Sequence, residues 1–182
     1  MNEKVLFDTI KKTVEEIERE LIELNGKGIY FAPEQHIAFC IGKAIMKNRT
    51  EIFGTDEVEW LREKKLGEKK LGIGQGGVTD IVFNVSDKSI ALELKLRDTE
   101  PYYKADVEKL ISLPDNIDKY FCVLLDSYSD DNDKRITHIQ NEYNDILKSI
   151  GHHSFETWNN WYKKQVYCNL NLFSISKTLK TL

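Results

Sequence analysis

The sequence predicts a mixed α/β domain with a central, partly antiparallel sheet flanked by helices. Three observations predict it. Apolar residues recur at helical spacing near the N-terminus, two alternating apolar runs surround a short turn, and a helical stretch leads into a buried apolar run. The last feature gives the strand, helix, strand order of a right-handed parallel crossover. With 182 residues the chain fits one folding unit of the usual ~100–200 residues. A single domain over 1–182 is therefore expected, with an N-terminal helix (1–26), a core at about 33–126, and C-terminal helices and a strand at 131–182.

Taken in order, Val5, Leu6, Ile10, Val14, Ile17, Leu21 and Leu24 place one apolar stripe on a helix from Asn2 to Leu24, with Asn25-Gly26 as its stop. Pro33 opens a second helix running to Lys47, with Ile37, Ala38, Ile41 and Ile45 on one face and Glu34 projecting from the same face. Asp56 with Glu59 resembles a capping arrangement, so Val58, Leu61 and Leu66 predict a short, charged third helix before Gly67. VTDIVFNV and SIALELKL read as strands joined by the turn SDK. Helical spacing returns from Tyr102 to Leu113, and YFCVLLD suits a buried strand. A further helix is predicted through Ile136, Ile139, Tyr143, Ile146, Leu147 and Ile150, ending at Gly151, and VYCNLNLFSI alternates as a strand. The cluster Trp158, Trp161 and Tyr162 is expected to pack a final helix on the core.

Apolar residues at 41% and charged residues at 31% describe an ordinary folded chain, not a disordered one. No apolar run approaches the ~20 residues that span a bilayer, and MNEKVLFDTIKK lacks the apolar segment of a signal peptide, so a cytoplasmic protein without membrane contact is expected. Cys40, Cys122 and Cys168 lie far apart, without the paired spacings of a zinc site, and read as reduced thiols. The net charge of -4 means that any polyanion must be met by a local basic surface.

The candidate chemistry lies on the hairpin. In SIALELKL, Ile90, Leu92, Leu94 and Leu96 form one apolar row, while Ala91, Glu93 and Lys95 share the other face. A turn at Asp87-Lys88 would set Asp80 opposite Lys95 and diagonal to Glu93, within ~5–8 Å between β-carbons. Three ionisable groups on half-buried strands are costly unless they pair or bind a cation. Two carboxylates plus the backbone carbonyl of Leu94 offer hard oxygen ligands for Mg²⁺, with Mn²⁺ as the alternative. Lys95 would orient the attacking water or stabilise the extra charge on a phosphate.

These residues, Thr79-Asp80 followed by Glu93-Leu94-Lys95, resemble the motif of the PD-(D/E)XK nuclease superfamily, with Thr79 in the place of the nominal proline. The resemblance implies a restriction-endonuclease-like central mixed sheet flanked by helices. It also implies Mg²⁺-dependent hydrolysis of phosphodiester bonds in DNA, in restriction or another defence against foreign DNA, and action as a homodimer. Glu34 looks like the family's additional acid on the helix before the hairpin, adding a fourth catalytic and metal-binding candidate. The helix after the ELK strand resembles the family's post-motif helix, and Tyr103, Lys104, Asp106 and Lys109 are expected to line the DNA side. The core order that the family leads one to expect is helix, three strands, helix, strand, and its first strand is poorly marked in KKLGIGQGG.

Lys64, Lys65, Lys69 and Lys70 form the densest basic patch, suited to phosphate contact. GIGQGG precedes a strand instead of linking a strand to a helix, so it reads as a loop, with Gln75 beside the substrate backbone, and not as a phosphate cradle. His152-His153 are expected at a helix end on the surface, since adjacent imidazoles are poorly placed for one ion. Two rival functions stand beside DNA cleavage: a nuclease acting on RNA or activated by a ligand, and a non-catalytic nucleic-acid or protein-binding module of the same fold.

Overall fold

The computed structural model describes residues 1–65, 78–130, 133–159 and 163–176. Helix α1 (Glu3–Asn25) starts where the Asn2 side chain accepts the Val5 N–H and ends at Gly26, whose φ of 68° closes it in the left-handed conformation. Its stripe of Leu6, Ile10, Val14 and Ile17 is buried. A 3₁₀ turn (Ile29–Phe31) leads to α2 (Glu34–Lys47), entered through Pro33, and a short α3 (Arg49–Phe53) follows.

The next segment corrects the expected third helix. Residues 58–65 form a strand, β1 (Val58–Lys65), paired antiparallel with β2 (Val78–Val85) from Val58↔Val85 to Lys65↔Val78. Val58 and Trp60 pack on one side of the sheet and Leu61 on the other, which is alternation of period two. A full backbone ladder with β2 outweighs the weak helical preference of a charged segment.

β2 and β3 (Lys88–Leu96) form the expected hairpin, but the turn is Ser86-Asp87, with Ser86 at φ 55°, and Val85 pairs with Lys88. Relative to a turn at Asp87-Lys88, each β2 residue faces a β3 residue two places earlier. A slip of two keeps every side chain on its expected face. Helix α4 (Glu100–Ile111) then crosses to β4 (Ile117–Ser127), which lies parallel to β3. On β4 the buried Lys119 donates to the Ile111 and Leu113 carbonyls at 3.3 and 2.7 Å, holding the C-terminal end of α4.

Helix α5 (Lys134–Glu142) stops well short of the expected Gly151. Residues 143–146 turn, and Leu147 opens β5 (Leu147–Asn159), which pairs antiparallel with β6 (Lys164–Ile175). Ile146 and Ile150 continue the helical spacing of α5 by coincidence, each packing on the core from the turn or the strand instead. Trp158 therefore sits on a strand, not on a final helix, and His152-His153 lie mid-strand. Trp161 and Tyr162 fall outside the described residues.

Among the described residues, six strands form one mixed sheet in the order β1-β2-β3-β4-β6-β5. On one face, α1 and α2 bury Ile10, Ile37, Ile41 and Ile45 against Phe83, Leu92, Leu94, Cys122 and Leu170. On the other, Tyr103, Val107 and Leu110 of α4 and Ile136 and Ile139 of α5 cover Val82, Ala91, Phe121 and Val123. All three cysteines are free thiols. No described helix is long and apolar enough to cross a membrane.

Two close approaches position the helical layer. Gly42 of α2 lies against Trp60 of β1, so close that a β-carbon there would fall 2.3 Å from the indole ring. Gly28 lies beside the buried Glu18, whose Oε2 accepts the Ile29 N–H at 2.5 Å and the Thr157 hydroxyl at 2.8 Å, tying α1, the 3₁₀ turn and β5 together. A β-carbon at Gly28 would meet the Thr157 hydroxyl at 2.0 Å and both Glu18 oxygens at 2.8 Å. Gly28→Ala is expected to destabilise the chain by ~1–3 kcal/mol, seen as a lower urea midpoint with an unchanged slope.

Candidate active site

The hairpin ladder between β2 and β3 closes at Ile81↔Leu92. Past that pair, two backbone donors of β3 turn to side chains. The Leu94 N–H donates to Asp80 Oδ2 at 2.9 Å, and the Leu96 N–H to Glu34 Oε2 at 2.6 Å. Asp80 extends from β2, level with Glu93 by continuation of the register, and not opposite Lys95 as expected. Glu34 reaches the same gap from the first turn of α2, in the opposite helical layer.

Glu93 and Lys95 point towards α4, which answers with Asp106 and Lys109, one helical turn apart. The Lys95 ammonium lies 3.2 Å from Asp106 Oδ2, and Lys109 lies 3.7 Å from Asp106 Oδ1. Lys109 also donates directly to Glu93 Oε1. Glu93 is only 4% exposed, and its second oxygen, Oε2, is buried with no hydrogen-bond partner.

The electrostatics follow from this crowding. Burial and the neighbouring Asp80 carboxylate push Glu93 up to about 7, although Lys109 pulls the other way. Burial also raises Asp80 and Glu34, each partly offset by the β3 amide it accepts. Burial works against the Lys95 ammonium, but Asp106 and Glu34 outweigh it and hold its pKa above the usual lysine value. Glu34, Asp80, Glu93 and Asp106 set four carboxylates against the two ammonium groups of Lys95 and Lys109. With all six ionised, these six described residues carry two negative charges in excess.

Comparison with protein-family models, with curated proteins and with solved structures finds no match.

Several expected substrate contacts move. Tyr103 is fully buried beneath α4, its hydroxyl accepting the Asp98 N–H at 2.8 Å, so it lines no surface. Lys104 bridges α4 to α5 through Glu100 and Glu142, at 2.8 and 2.7 Å, and takes no part in the cluster. Lys109 and Asp106 lie inside the cluster instead of on a DNA-facing rim. The Lys64 and Lys65 backbones sit at the end of β1, opposite Thr79 and Val78 and so one strand from Asp80. Lys69, Lys70 and Gln75 lie outside the described residues. His153 contacts Glu15 of α1 at 2.7 Å, and His138 contacts Glu100 at 3.0 Å, both away from the cluster.

Sequence reasoning underrated Asp106, whose signal was its place three residues before Lys109 on α4, between the buried Tyr103, Val107 and Leu110. It also passed over Arg135. That guanidinium donates to the Asp98 and Asp126 carbonyls at 3.0 and 2.7 Å, fastening the ends of β3 and β4 beside the cluster.

Among the described residues, no three His, Cys, Asp or Glu side chains are gathered tightly enough to grip an ion as they stand. The chemistry of the set nevertheless fits a hard divalent cation. Asp80 and Glu93 supply oxygen donors, and Glu93 Oε2 is an orphaned acceptor.

Because Glu93 ordinarily titrates at 4.5 and here at about 7, the folded chain retains a proton that the unfolded chain has released between those values. Its contribution to stability therefore falls as pH rises through that window. A ¹³C carboxyl titration should place the Glu93 midpoint near pH 7. Glu93→Gln should gain stability relative to wild type as pH rises from 4.5 to 7, and a flat difference would refute the assignment.

Proposed function

We propose that the chain is a metal-dependent nuclease hydrolysing phosphodiester bonds in DNA, built on the restriction-endonuclease-like fold of the PD-(D/E)XK superfamily. The carrying observation is the gap beyond Ile81↔Leu92, where Asp80, Glu93 and Lys95 converge. The element order supports the same reading. Helix α2, strands β1, β2 and β3, helix α4 and strand β4 follow the helix, three strands, helix, strand order implied by the motif, with VEWLREKK supplying the strand sought in KKLGIGQGG.

Asp80, Glu93 and the Leu94 carbonyl are the residues that would hold Mg²⁺ or Mn²⁺, with Glu34 alongside. When bound, such an ion supplies an acidified water and neutralises charge on the scissile phosphate. The remaining work falls to the chain. Asp106 keeps the Lys95 ammonium charged and held against α4 beside the gap, from where it would orient the attacking water or stabilise the growing negative charge on phosphorus-bound oxygen. Glu34 holds the Leu96 amide and so fixes the strand that carries Lys95.

Because the chain is acidic overall, substrate phosphates depend on local cations. Lys64 and Lys65 on the neighbouring strand end, together with Lys69 and Lys70, are the candidates. Pairing of two copies would let a single-site domain cut both strands. A non-catalytic module of the same fold is the second reading, favoured by Lys109 occupying the Glu93 carboxylate.

Purified protein should nick or linearise supercoiled plasmid with Mg²⁺ and fail in EDTA, with a structured RNA run in parallel to separate the two nucleic acids. Lys95→Ala should lower the cleavage rate about 100-fold or more, with an unaltered circular dichroism spectrum, and Asp80→Ala should do likewise. Undiminished cutting by Lys95→Ala would overturn its role.

A further inference from the structure

We propose that Lys109 is a resident counter-cation: its ammonium holds at Glu93 the position of the divalent ion and transfers to Asp106 when that ion enters. The inference rests on the reading of Asp80 and Glu93 as a metal site, and it assigns a positioning role to two residues of α4. Lys109 donates to one oxygen of Glu93, and the other oxygen is buried without a hydrogen bond. A buried carboxylate stripped of its counter-charge is strongly unfavourable, so an ionised Glu93 keeps a cation beside it when the ion is away.

The alternative berth is already within reach. Asp106 Oδ1 lies 3.7 Å from the Lys109 ammonium, so rotation about the flexible four-carbon stem suffices and the helix need not move. Asp106 Oδ2 meanwhile holds Lys95 at 3.2 Å. After transfer, Asp106 would carry two ammonium groups and Glu93 would be released from Lys109 to help hold the ion. When the six cluster residues are all ionised, the ion neutralises their excess of two negative charges.

Asp106 then couples the two lysines. A second ammonium at Asp106 weakens its grip on Lys95, so ion entry loosens Lys95 towards the substrate. A merely structural Lys109–Glu93 pair makes no such link, and would stay intact with the ion bound.

The test uses the full chain and Mn²⁺ alone. Crystals soaked in Mn²⁺ should show an anomalous peak against Asp80 and Glu93, with the Lys109 ammonium moved from Glu93 to Asp106. Calorimetry at pH 8.5 should give Lys109→Met at least tenfold tighter Mg²⁺ binding than wild type, with Lys109→Gln as a second variant and thermal melting as the folding control. Asp80→Asn should abolish binding. Metal bound while Lys109 stays on Glu93, or an affinity in both Lys109 variants within twofold of wild type, would overturn the proposal and leave the metal site standing. Absence of Mn²⁺ and Mg²⁺ binding in wild type and both Lys109 variants would overturn the metal site and this inference together.

Discussion

The parting of β2 from β3 after Ile81↔Leu92 is the constraint on which the site depends. Two amide groups of β3 lose their ladder partners there, and an unsatisfied buried donor costs ~1–3 kcal/mol. Asp80 and Glu34 supply the missing acceptors from two different layers of the fold. The backbone thus fixes where these carboxylates sit before any ligand is considered. Each acid has one oxygen committed to β3, and its charge faces the space opened between the strands.

That arrangement crowds like charges, and the fold tolerates it through α4. Asp106 and Lys109 occupy the face of the helix next to Glu93 and Lys95, while Tyr103, Val107 and Leu110 anchor it to the sheet. Lys119 at one end and Arg135 at the other hold the helix and the strand ends in register. Interior packing therefore sets the electrostatics. Glu93 is pushed to neutral pH because it is surrounded by protein as well as by acids.

The parts legible in the sequence were those with one strong local period. The alternation of SIALELKL put Glu93 and Lys95 on one face and Leu92 and Leu94 on the other, as found, and a two-residue slip of register left that sorting intact. The slip arose because Ser86 adopts positive φ, an unusual conformation for serine that local composition does not signal. β1 read as a helix because Asp56 with Glu59 imitates a cap and Val58 and Leu61 fall three residues apart. Its true partner, β2, lies across the glycine-rich stretch, so the deciding interaction is non-local. Likewise Ile146 and Ile150 match the period of α5, and only pairing of β5 with β6 breaks the tie. Asp106 and Lys109 were visible as charged residues on a helix, but their partners were not, since those depend on how α4 lies over β3.

The contact of Gly42 with Trp60 reaches further than packing. Gly42 stands two turns down α2 from Glu34, ~12 Å along the axis, and the helix between them is rigid. The bare α-carbon works as a thin shim beneath a lever: the thickness of this one residue sets how far the acid at the tip extends over the sheet. A bulkier residue at 42 would press on the indole and tilt the rod, moving the distal carboxylate from a position far from the cluster.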